Sequence, residues 1–267
     1  MAPTLSPAGA LADTRRGALG WLLGWWRILH LGAVLLVLAL SPSSYDRPGR
    51  ARIAREIYRD TAPILFWYTL LVSLFGLVLI RIVVVTAASY GLSQFALQMV
   101  VRVLVLELIP LAAALFVALR IGLPDGLEIG RMRVRGELEA LRASGRDPLR
   151  EEVLPRVLSG GFAVLLLTAV TGVVALLLAY LNVHGFSLGG LERYTRTVGQ
   201  VFSPPLTLIF AIKTFLLALA VSLVPIASGL YDRPRPGAGT SAVLQALVRL
   251  FMAMLLIEAA SLIGNYY

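Results

Sequence analysis

VLSGGFAVLLLTAVTGVVALLLAYLNV, residues 157–183, is the stretch that decides the fold class of this chain. It contains no charged residue over 27 positions. A helix of that length rises roughly 40 Å, which exceeds the roughly 30 Å hydrocarbon layer of a bilayer. Because backbone polar groups inside lipid must be satisfied within the protein, such a stretch is expected to be helical. The sequence therefore predicts a membrane-spanning helix here.

Four further apolar stretches extend this prediction to a bundle. Pro63 is expected near the start of the first of them, where its missing N–H does no harm. The fourth span carries the single lysine of the chain, Lys213. We predict an all-α, polytopic membrane bundle with about five transmembrane helices. The predicted spans are residues 62–80, 96–119, 157–183, 201–230 and 242–264.

The N-terminal stretch, residues 17–40, has basic residues on both flanks and three tryptophans in its first half. Tryptophan favours the headgroup level, and two basic flanks favour entering and leaving the membrane on the same side. We predict an interfacial helix or a re-entrant elbow here, although the preceding arginines also fit a secretory signal. Residues 1–60 then form a cytoplasmic tail with this helix, and residues 61–267 form the membrane domain.

The composition excludes several classes of function. The chain has 267 residues, of which 58% are hydrophobic, and its mean hydropathy is +0.82. It contains no cysteine and only two histidines, which excludes thiolate chemistry and disfavours a histidine metal site. The net charge of +9 comes almost wholly from arginine, and in a membrane protein this favours contact with anionic lipid over binding of nucleic acid.

Loop charge predicts the orientation of the bundle. Residues 120–156 contain eight arginines, and residues 231–240 contain Arg233 and Arg235, whereas residues 86–94 contain none. The positive-inside rule places the N-terminus and both basic segments in the cytoplasm. Five crossings then leave the C-terminus on the periplasmic side.

The cytoplasmic segment, residues 128–156, is predicted to contain a short amphipathic helix with three apolar residues on one face. Arg135 and Glu139 are spaced to form an ion pair on it. Such a helix either lies on the membrane surface or docks as a coupling helix into a groove of a cytosolic partner, and periodicity alone does not separate the two. The residues of the apolar face are Val134, Leu138 and Leu141.

Charged residues within the spans are candidate functional groups, because placing a charge in lipid is costly. Glu107 lies in the second span and is predicted either to pair with Arg102 or Lys213 or to form a polar patch at the base of a lipid cavity. Lys213 is flanked by about twelve apolar residues on each side, so it is expected to pair with an acid or to meet a lipid phosphate.

The sequence contains none of the catalytic motifs that its possible functions would need. It lacks G-x-x-x-x-G-K-[ST], G-x-S-x-G and H-E-x-x-H, so ATP hydrolysis would have to come from another polypeptide. We therefore predict no catalytic and no metal-binding residue. Two alternatives stay open: an ion-coupled secondary transporter that uses Glu107 and Lys213, and a membrane-embedded lipid enzyme.

Short groups of residues that match a known family motif at fixed spacing occur in the cytoplasmic segment and in two of the spans. The matched residues are Leu106-Glu107-Leu108-Ile109-Pro110, Leu119-Arg120, Glu128-Ile129-Gly130, Met132-Arg133-Val134, Asp147-Pro148, Pro155-Arg156 and Lys213. In these residues the chain resembles the MlaE/YrbE family of permease subunits. The resemblance extends from about residue 50 to the C-terminus.

The resemblance implies the permease subunit of a bacterial ABC system that moves phospholipid or a related lipid between the inner membrane and an MCE protein. Two copies would form a homodimer with a lipid pathway between them. A separate cytosolic ABC ATPase would bind ATP and Mg²⁺, so this chain would need no cofactor. An MCE-domain periplasmic protein and a STAS-domain subunit are the further partners that the resemblance implies.

The resemblance also implies roles for particular residues. The coupling segment, residues 124–150, would seat on the ATPase, and the first span would line the lipid pocket, although simple packing is the favoured explanation of its aromatic residues. The ATPase-coupling residues would be Val134, Gly136, Glu137, Leu138, Leu141, Arg142, Asp147 and Pro148. The lipid-cavity residues would be Phe66, Tyr68, Phe75, Arg102, Glu107 and Lys213.

Two positions depart from the family pattern. The acid of a Glu-Gln pair stands one position later, in Gly136-Glu137, which rotates it by about 100° on a helix. The arginine expected before the intramembrane Glu107 is Leu106. Arg102 lies about one helical turn earlier and is the candidate substitute.

Overall fold

The structure is a computed structural model that describes residues 7–232 and 239–266. The basic residues Arg233 and Arg235, predicted to lie in a cytoplasmic loop, are outside the described residues. All regular elements in the described part of the chain are helical, which confirms the predicted all-α fold class. The α-helices are α1 (Pro7–Leu40), α2 (Arg47–Ser89), α3 (Ser93–Val100), α4 (Ile109–Val117), α5 (Leu123–Val134), α6 (Glu137–Ala143), α7 (Leu154–His184), α8 (Leu191–Val201), α9 (Pro204–Tyr231) and α10 (Gly239–Tyr266).

Short π-helical segments join several of these helices into longer ones. Val101–Leu108 connects α3 to α4, Ala118–Gly122 connects α4 to α5, and Leu149–Val153 leads into α7. A π-helical turn contains about one more residue than an α-helical turn, so each segment changes which side chains face a neighbouring helix. The stretch Ser93–Val134 is therefore one long helical unit whose faces shift twice along its length.

Six helical stretches in the described residues are long and apolar enough to cross a membrane. Five of them overlap the five predicted spans, with starts that differ by one to three residues in the last two, which confirms a multi-pass helical bundle. The sixth lies in the N-terminal stretch that we predicted to be interfacial or re-entrant, and that placement stays a prediction. The six stretches are Leu23–Leu40, Arg47–Ser89, Ser93–Val134, Leu149–His184, Pro204–Tyr231 and Val243–Asn265.

The helix α2 is much longer than the first predicted span. It begins at Arg47, where the Asp46 carboxylate accepts a hydrogen bond from the Gly49 amide at 2.9 Å. The prediction that Pro63 lies near the helix start is wrong, because the basic, amphipathic residues before it continue the helix for four more turns. Pro63 is an interior residue that leaves the Arg59 carbonyl without its helical donor. The helix also runs unbroken through residues 60 and 61, where the predicted tail was to end.

The helix α9 lies at the centre of the bundle and packs against α1, α4, α5, α7 and α10. Leu217, Val221 and Ile226 are among its fully buried side chains. Lipid is as apolar as leucine, so close packing rather than hydrophobicity holds such a helix in place. The position of α9 is therefore determined by its contacts with these five helices.

The helix α8 covers the bundle at the end of α7 that is predicted to be periplasmic. The Tyr194 hydroxyl donates a hydrogen bond to the Leu176 carbonyl at 2.6 Å. Burial raises the pKa of Tyr194 to about 12, so it remains a donor at any physiological pH. Its ring also packs edge-on against Tyr180. These contacts fix α8 on the outer ends of the spans.

Candidate functional site

The ammonium of Lys213 is the centre of a buried polar cluster that joins three membrane helices. Its Nζ atom bonds the Glu107 carboxylate, the Glu258 carboxylate at 2.8 Å and the Leu106 carbonyl at 3.4 Å. The Asn265 side-chain amide donates to Glu107 at 2.9 Å. Of the two pairings predicted for Glu107, the structure forms the one with Lys213. We call Glu107, Lys213, Glu258 and Asn265 the intramembrane cluster.

The cluster lies deep in the membrane part of the bundle. Lys213 is nine residues from the start of α9, which corresponds to about 14 Å along the helix. Its side chain is 1% exposed, against 14% for Glu107 and 16% for Glu258. An ammonium group has three N–H donors, and three acceptors surround this one. A lipid phosphate can reach the Lys213 ammonium only if one of these acceptors leaves.

The π-helical segment Val101–Leu108 carries Glu107 to the face of the helix that meets α9 and α10. Such segments are frequent at functional sites because they re-aim single side chains. Arg102 lies in the same segment but forms no ion pair within the described residues, and its Nε atom is buried without a partner there. The predicted alternative pairing of Glu107 with Arg102 is therefore not formed.

The charges of the intramembrane cluster do not balance when all groups are ionised. One lysine faces two carboxylates, and Glu258 Oε2 is buried with no hydrogen-bond partner in the described part of the chain. Burying an uncompensated charge is expensive, so the cluster of one lysine and two carboxylates is less stable than a one-to-one pair would be. It is thus a site whose contacts can be exchanged for those of a charged ligand.

Sequence reasoning missed two members of the cluster. Glu258 is close to the end of the fifth predicted span, where the sequence is equally compatible with a surface position. Asn265 is uncharged, so the cost of placing a charge in lipid does not mark it. The spacing of seven residues between them puts both on one face of α10, and this was the signal that could have found them.

The aromatic residues predicted to line a lipid cavity separate into two environments. Tyr68 is buried and packs against Phe116, with ring centroids 4.9 Å apart. Phe66 and Phe75 lie on the outer surface of α2 and are 67% and 60% exposed. The structure therefore does not bring the three together around one cavity in a single chain, and their role as lipid contacts stays a prediction.

The predicted apolar face of the cytoplasmic helix is wrong, because the helix is broken. Gly136 has φ 76°, a left-handed conformation, and it separates α5 from α6. Val134 ends α5 and is 68% exposed, whereas Leu138 in α6 is buried in the core at 4%. Arg135 consequently pairs with Glu128 at 2.9 Å and with Glu137 at 2.8 Å, not with Glu139.

The predicted coupling residues differ in what they offer to a partner. Val134, Glu137 and Arg142 are exposed on the surface of the segment. Leu141 is half-buried and lines a shallow groove of about 390 Å³ with Met132, Glu137, Ala140 and Glu152. The contacts of this surface with an ATPase stay a prediction.

Two of the predicted coupling residues have a structural role. The Asp147 carboxylate accepts a hydrogen bond from the Leu149 amide at 3.0 Å, and Pro148 is buried. Together they start the helical stretch that leads into α7. Their part of the family motif is explained by helix initiation, whether or not a partner also touches them.

No cluster of three or more histidine, aspartate or glutamate side chains that could hold a metal ion occurs among the described residues. The intramembrane cluster contributes two carboxylates, and Lys213 lies between them. The arrangement is that of an ion-pair network joining helices, not of a metal centre.

Comparisons with known proteins agree with these features. The sequence model of the family described as "Permease MlaE" matches residues 53–263, which include the cytoplasmic segment and the whole intramembrane cluster except Asn265. A probable ABC transporter permease protein of Rickettsia conorii (strain ATCC VR-613 / Malish 7) is 28% identical over 185 residues, covering 65% of this chain and 71% of the relative. The corresponding proteins of Rickettsia prowazekii (strain Madrid E) and Rickettsia bellii (strain RML369-C) match with the same identity and coverage.

Proposed function

Because this chain belongs to the MlaE permease family and is an ABC transporter permease subunit without catalytic activity of its own, we propose that it moves phospholipid or a related lipid between the inner membrane and an MCE protein. The observation that carries the lipid substrate is the intramembrane cluster. It places a lysine and two carboxylates deep in the bundle, where a polar headgroup crossing the membrane needs charged partners. Family membership favours this proposal over ion-coupled secondary transport.

The headgroup would exchange contacts with the cluster. Lys213 is saturated in the present arrangement, so its ammonium becomes a phosphate donor only when Glu107 or Glu258 is withdrawn. Glu107 and Glu258 come from different helices, so a relative movement of α10 and the π-helical segment Val101–Leu108 would open the site. The exposed aromatic rings of Phe66 and Phe75 on α2 would line the acyl-chain path between two copies of the chain.

The energy for lipid transport would come from a cytosolic ATPase that docks on the exposed surface around Gly136. Val134 would make an apolar contact there, and Glu137 and Arg142 would make charged contacts. ATP and Mg²⁺ would be bound by that partner. The positive-inside rule favours a cytoplasmic N-terminus and a periplasmic C-terminus, with the MCE protein on the periplasmic side and a STAS-domain subunit as a further partner in the cytoplasm.

Co-purification and reconstituted transport test this proposal. The permease is co-expressed with its ATPase, purified and placed in vesicles that contain a fluorescent phospholipid. We expect Glu137→Arg with Arg142→Glu to abolish ATPase binding, since both side chains are on the exposed surface. Arg196→Glu, an exposed arginine on the opposite side of the bundle, is the matched control and should bind normally.

In these vesicles, transport of the fluorescent phospholipid should require ATP and should continue in the presence of an uncoupler. Movement of lipid that continues without nucleotide and stops with the uncoupler would refute the ATP-driven mechanism and restore the ion-coupled alternative. Failure of any ATPase to co-purify with the unsubstituted chain would refute the coupling role of the cytoplasmic segment.

A further inference from the structure

The end of α5 is fastened to the end of α9 by one arginine. Arg133 donates from one guanidinium nitrogen to the Leu230 carbonyl at 2.5 Å and from another to the Asp232 carbonyl. The last carbonyls of a helix lack partners within it, and a basic side chain satisfies them well. Asp232 in turn accepts from Arg249 of α10 at 2.9 Å. Arg133 is only partly buried, but both of these hydrogen bonds are made within this chain.

The same two helices touch backbone to backbone along their length. A Cβ atom added at Gly126 would come closer than 3.0 Å to the carbonyl of Pro225, and one added at Gly229 would do the same to the carbonyl of Gly126. A Cβ atom at Gly122 would lie 2.5 Å from the Val221 oxygen. Glycine at these positions lets the helix axes approach until main-chain atoms meet.

Pro225 explains why this crossing is so close. Proline has no N–H, so the carbonyl four residues earlier, that of Val221, loses its helical donor. That carbonyl faces Gly122 of the preceding helical stretch. The contact between α7 and α9 is different in kind, because Gly160 there meets the rotatable hydroxyl of Ser222. At Gly126 and Gly229 of the α5–α9 contact, main-chain atoms instead meet main-chain atoms, which cannot rotate away as a hydroxyl can.

The helices α5 and α9 connect the cytoplasmic segment to the intramembrane cluster, the two regions that the proposed function requires. Val134, the last residue of α5, lies two positions before Gly136 in the coupling segment. Lys213 lies on α9, twelve residues from Pro225, a distance of about 18 Å along the helix. A rigid α5–α9 pair would thus carry a displacement from the cytoplasmic surface to the intramembrane cluster.

We propose that α5 and α9 move as one unit that transmits movement of the cytoplasmic segment to Lys213, with Arg133 and Gly126 as the positioning residues that hold the unit together. This inference rests on the proposed function, because it needs an ATPase that acts on the segment. It assigns Arg133 to transmission within the chain rather than to contact with the ATPase.

Four variants test the inference in the reconstituted complex of permease and ATPase, with transfer of a fluorescent phospholipid measured per ATP hydrolysed. Gly126→Ala forces a clash with the Pro225 carbonyl, whereas Gly130→Ala adds the same methyl one turn later, at 3.6 Å from Gly229. Arg133→Met removes both hydrogen bonds, and Arg133→Lys keeps a cation that can donate to at least one of the two carbonyls. We expect Gly126→Ala and Arg133→Met to lower the ratio about tenfold, and both controls to stay within about twofold of the unsubstituted chain.

The outcomes separate this inference from the function on which it rests. A purely structural role would lower the yield of complex, ATP hydrolysis and lipid transfer together and leave the ratio unchanged, which overturns the inference. Arg133→Met decides the matter if Gly126→Ala does not fold. Absence of ATP-dependent transfer by the unsubstituted chain would instead overturn the proposed function, and this inference with it.

A direct measurement of rigidity is available because the chain has no cysteine. Spin labels are placed through cysteine substitutions at exposed leucines of α5 and α9, Leu127→Cys with Leu216→Cys. We expect their distance to stay constant when ATP binds, while the distance from Leu216→Cys to Phe75→Cys on α2 changes. An equal change in both pairs, or no change in either, overturns the transmission unit.

Discussion

The intramembrane cluster and the cytoplasmic segment both contain ion pairs between basic and acidic side chains, but the pairs differ in their surroundings. In the cluster, one lysine that is 1% exposed satisfies two carboxylates from different helices. In the segment, Arg135 and Glu128 pair while 54% and 40% of their side chains remain exposed. Water screens the second pair and leaves the first unscreened. Deleting the one basic charge should therefore be costly in the cluster, whereas deleting a basic charge should be nearly neutral in the segment.

The largest effect is expected from Lys213→Met, which leaves two buried carboxylates facing each other. We expect a loss of about 3–5 kcal/mol in the free energy of unfolding, as for other broken buried ion pairs. Unfolding by dodecyl sulfate in mixed micelles measures it. Lys213→Met combined with Glu107→Gln and Glu258→Gln should recover most of the loss. If Lys213→Met alone were as stable as the parent, the cluster would be hydrated, and the contrast between a buried cluster and an exposed segment would be wrong.

A backbone change in the segment should come next in size. Gly136→Ala puts a side chain on a left-handed residue, and although open space surrounds it, the conformation costs about 1–2 kcal/mol. The same unfolding titration measures this cost. Gly199→Ala, in open space within α8, is the matched control and should be neutral or stabilising. Equal results for the two glycines would mean that α5 and α6 can form one continuous helix.

Glu258→Gln should have a smaller effect than the loss of Lys213. The amide oxygen still accepts from the ammonium, and the remaining lysine and Glu107 form a neutral pair, so we expect a change of about 1 kcal/mol or less. The measurement is the same micelle titration, at neutral pH. A loss as large as that of Lys213→Met would show that both carboxylates must be ionised together.

The smallest effect is expected from Arg135→Ala in the segment. Its ion pairs are exposed, and such pairs contribute about 0.5 kcal/mol or less. The remaining difference between variant and parent should disappear in high salt. Comparing unfolding at low and high ionic strength measures this. A salt-independent loss would place the segment in a buried environment and remove the contrast with the cluster.

The sequence predicted the spans because apolar runs of that length, with few or no charges, leave the backbone no alternative to a helix in lipid. It also predicted the pairing of Glu107 with Lys213 as one of two options, since few charges were available inside the spans. The choice between the options depended on the π-helical segment Val101–Leu108, which turns Glu107 toward α9. No residue type marks such a segment in a single sequence.

The error in the cytoplasmic segment has a different physical cause. Val134, Leu138 and Leu141 keep helical spacing whether or not the helix continues through Gly136, so periodicity gave the same result on both sides of the break. A glycine is tolerated inside a helix, and only its positive φ shows that it ends one. The burial of Leu138 depends on tertiary packing, which the spacing of residues does not report.

The length of α2 has a mechanical consequence. With 43 residues it is about 65 Å long, roughly twice the thickness of the hydrocarbon layer. A tilt of about 20°, ordinary for a membrane helix, displaces one end by about 22 Å relative to the other. Arg52 near its basic end bonds Glu151, which precedes α7. Any change in the tilt of this helix among the lipid tails would therefore also displace its basic end and the stretch before α7 that is bonded to it.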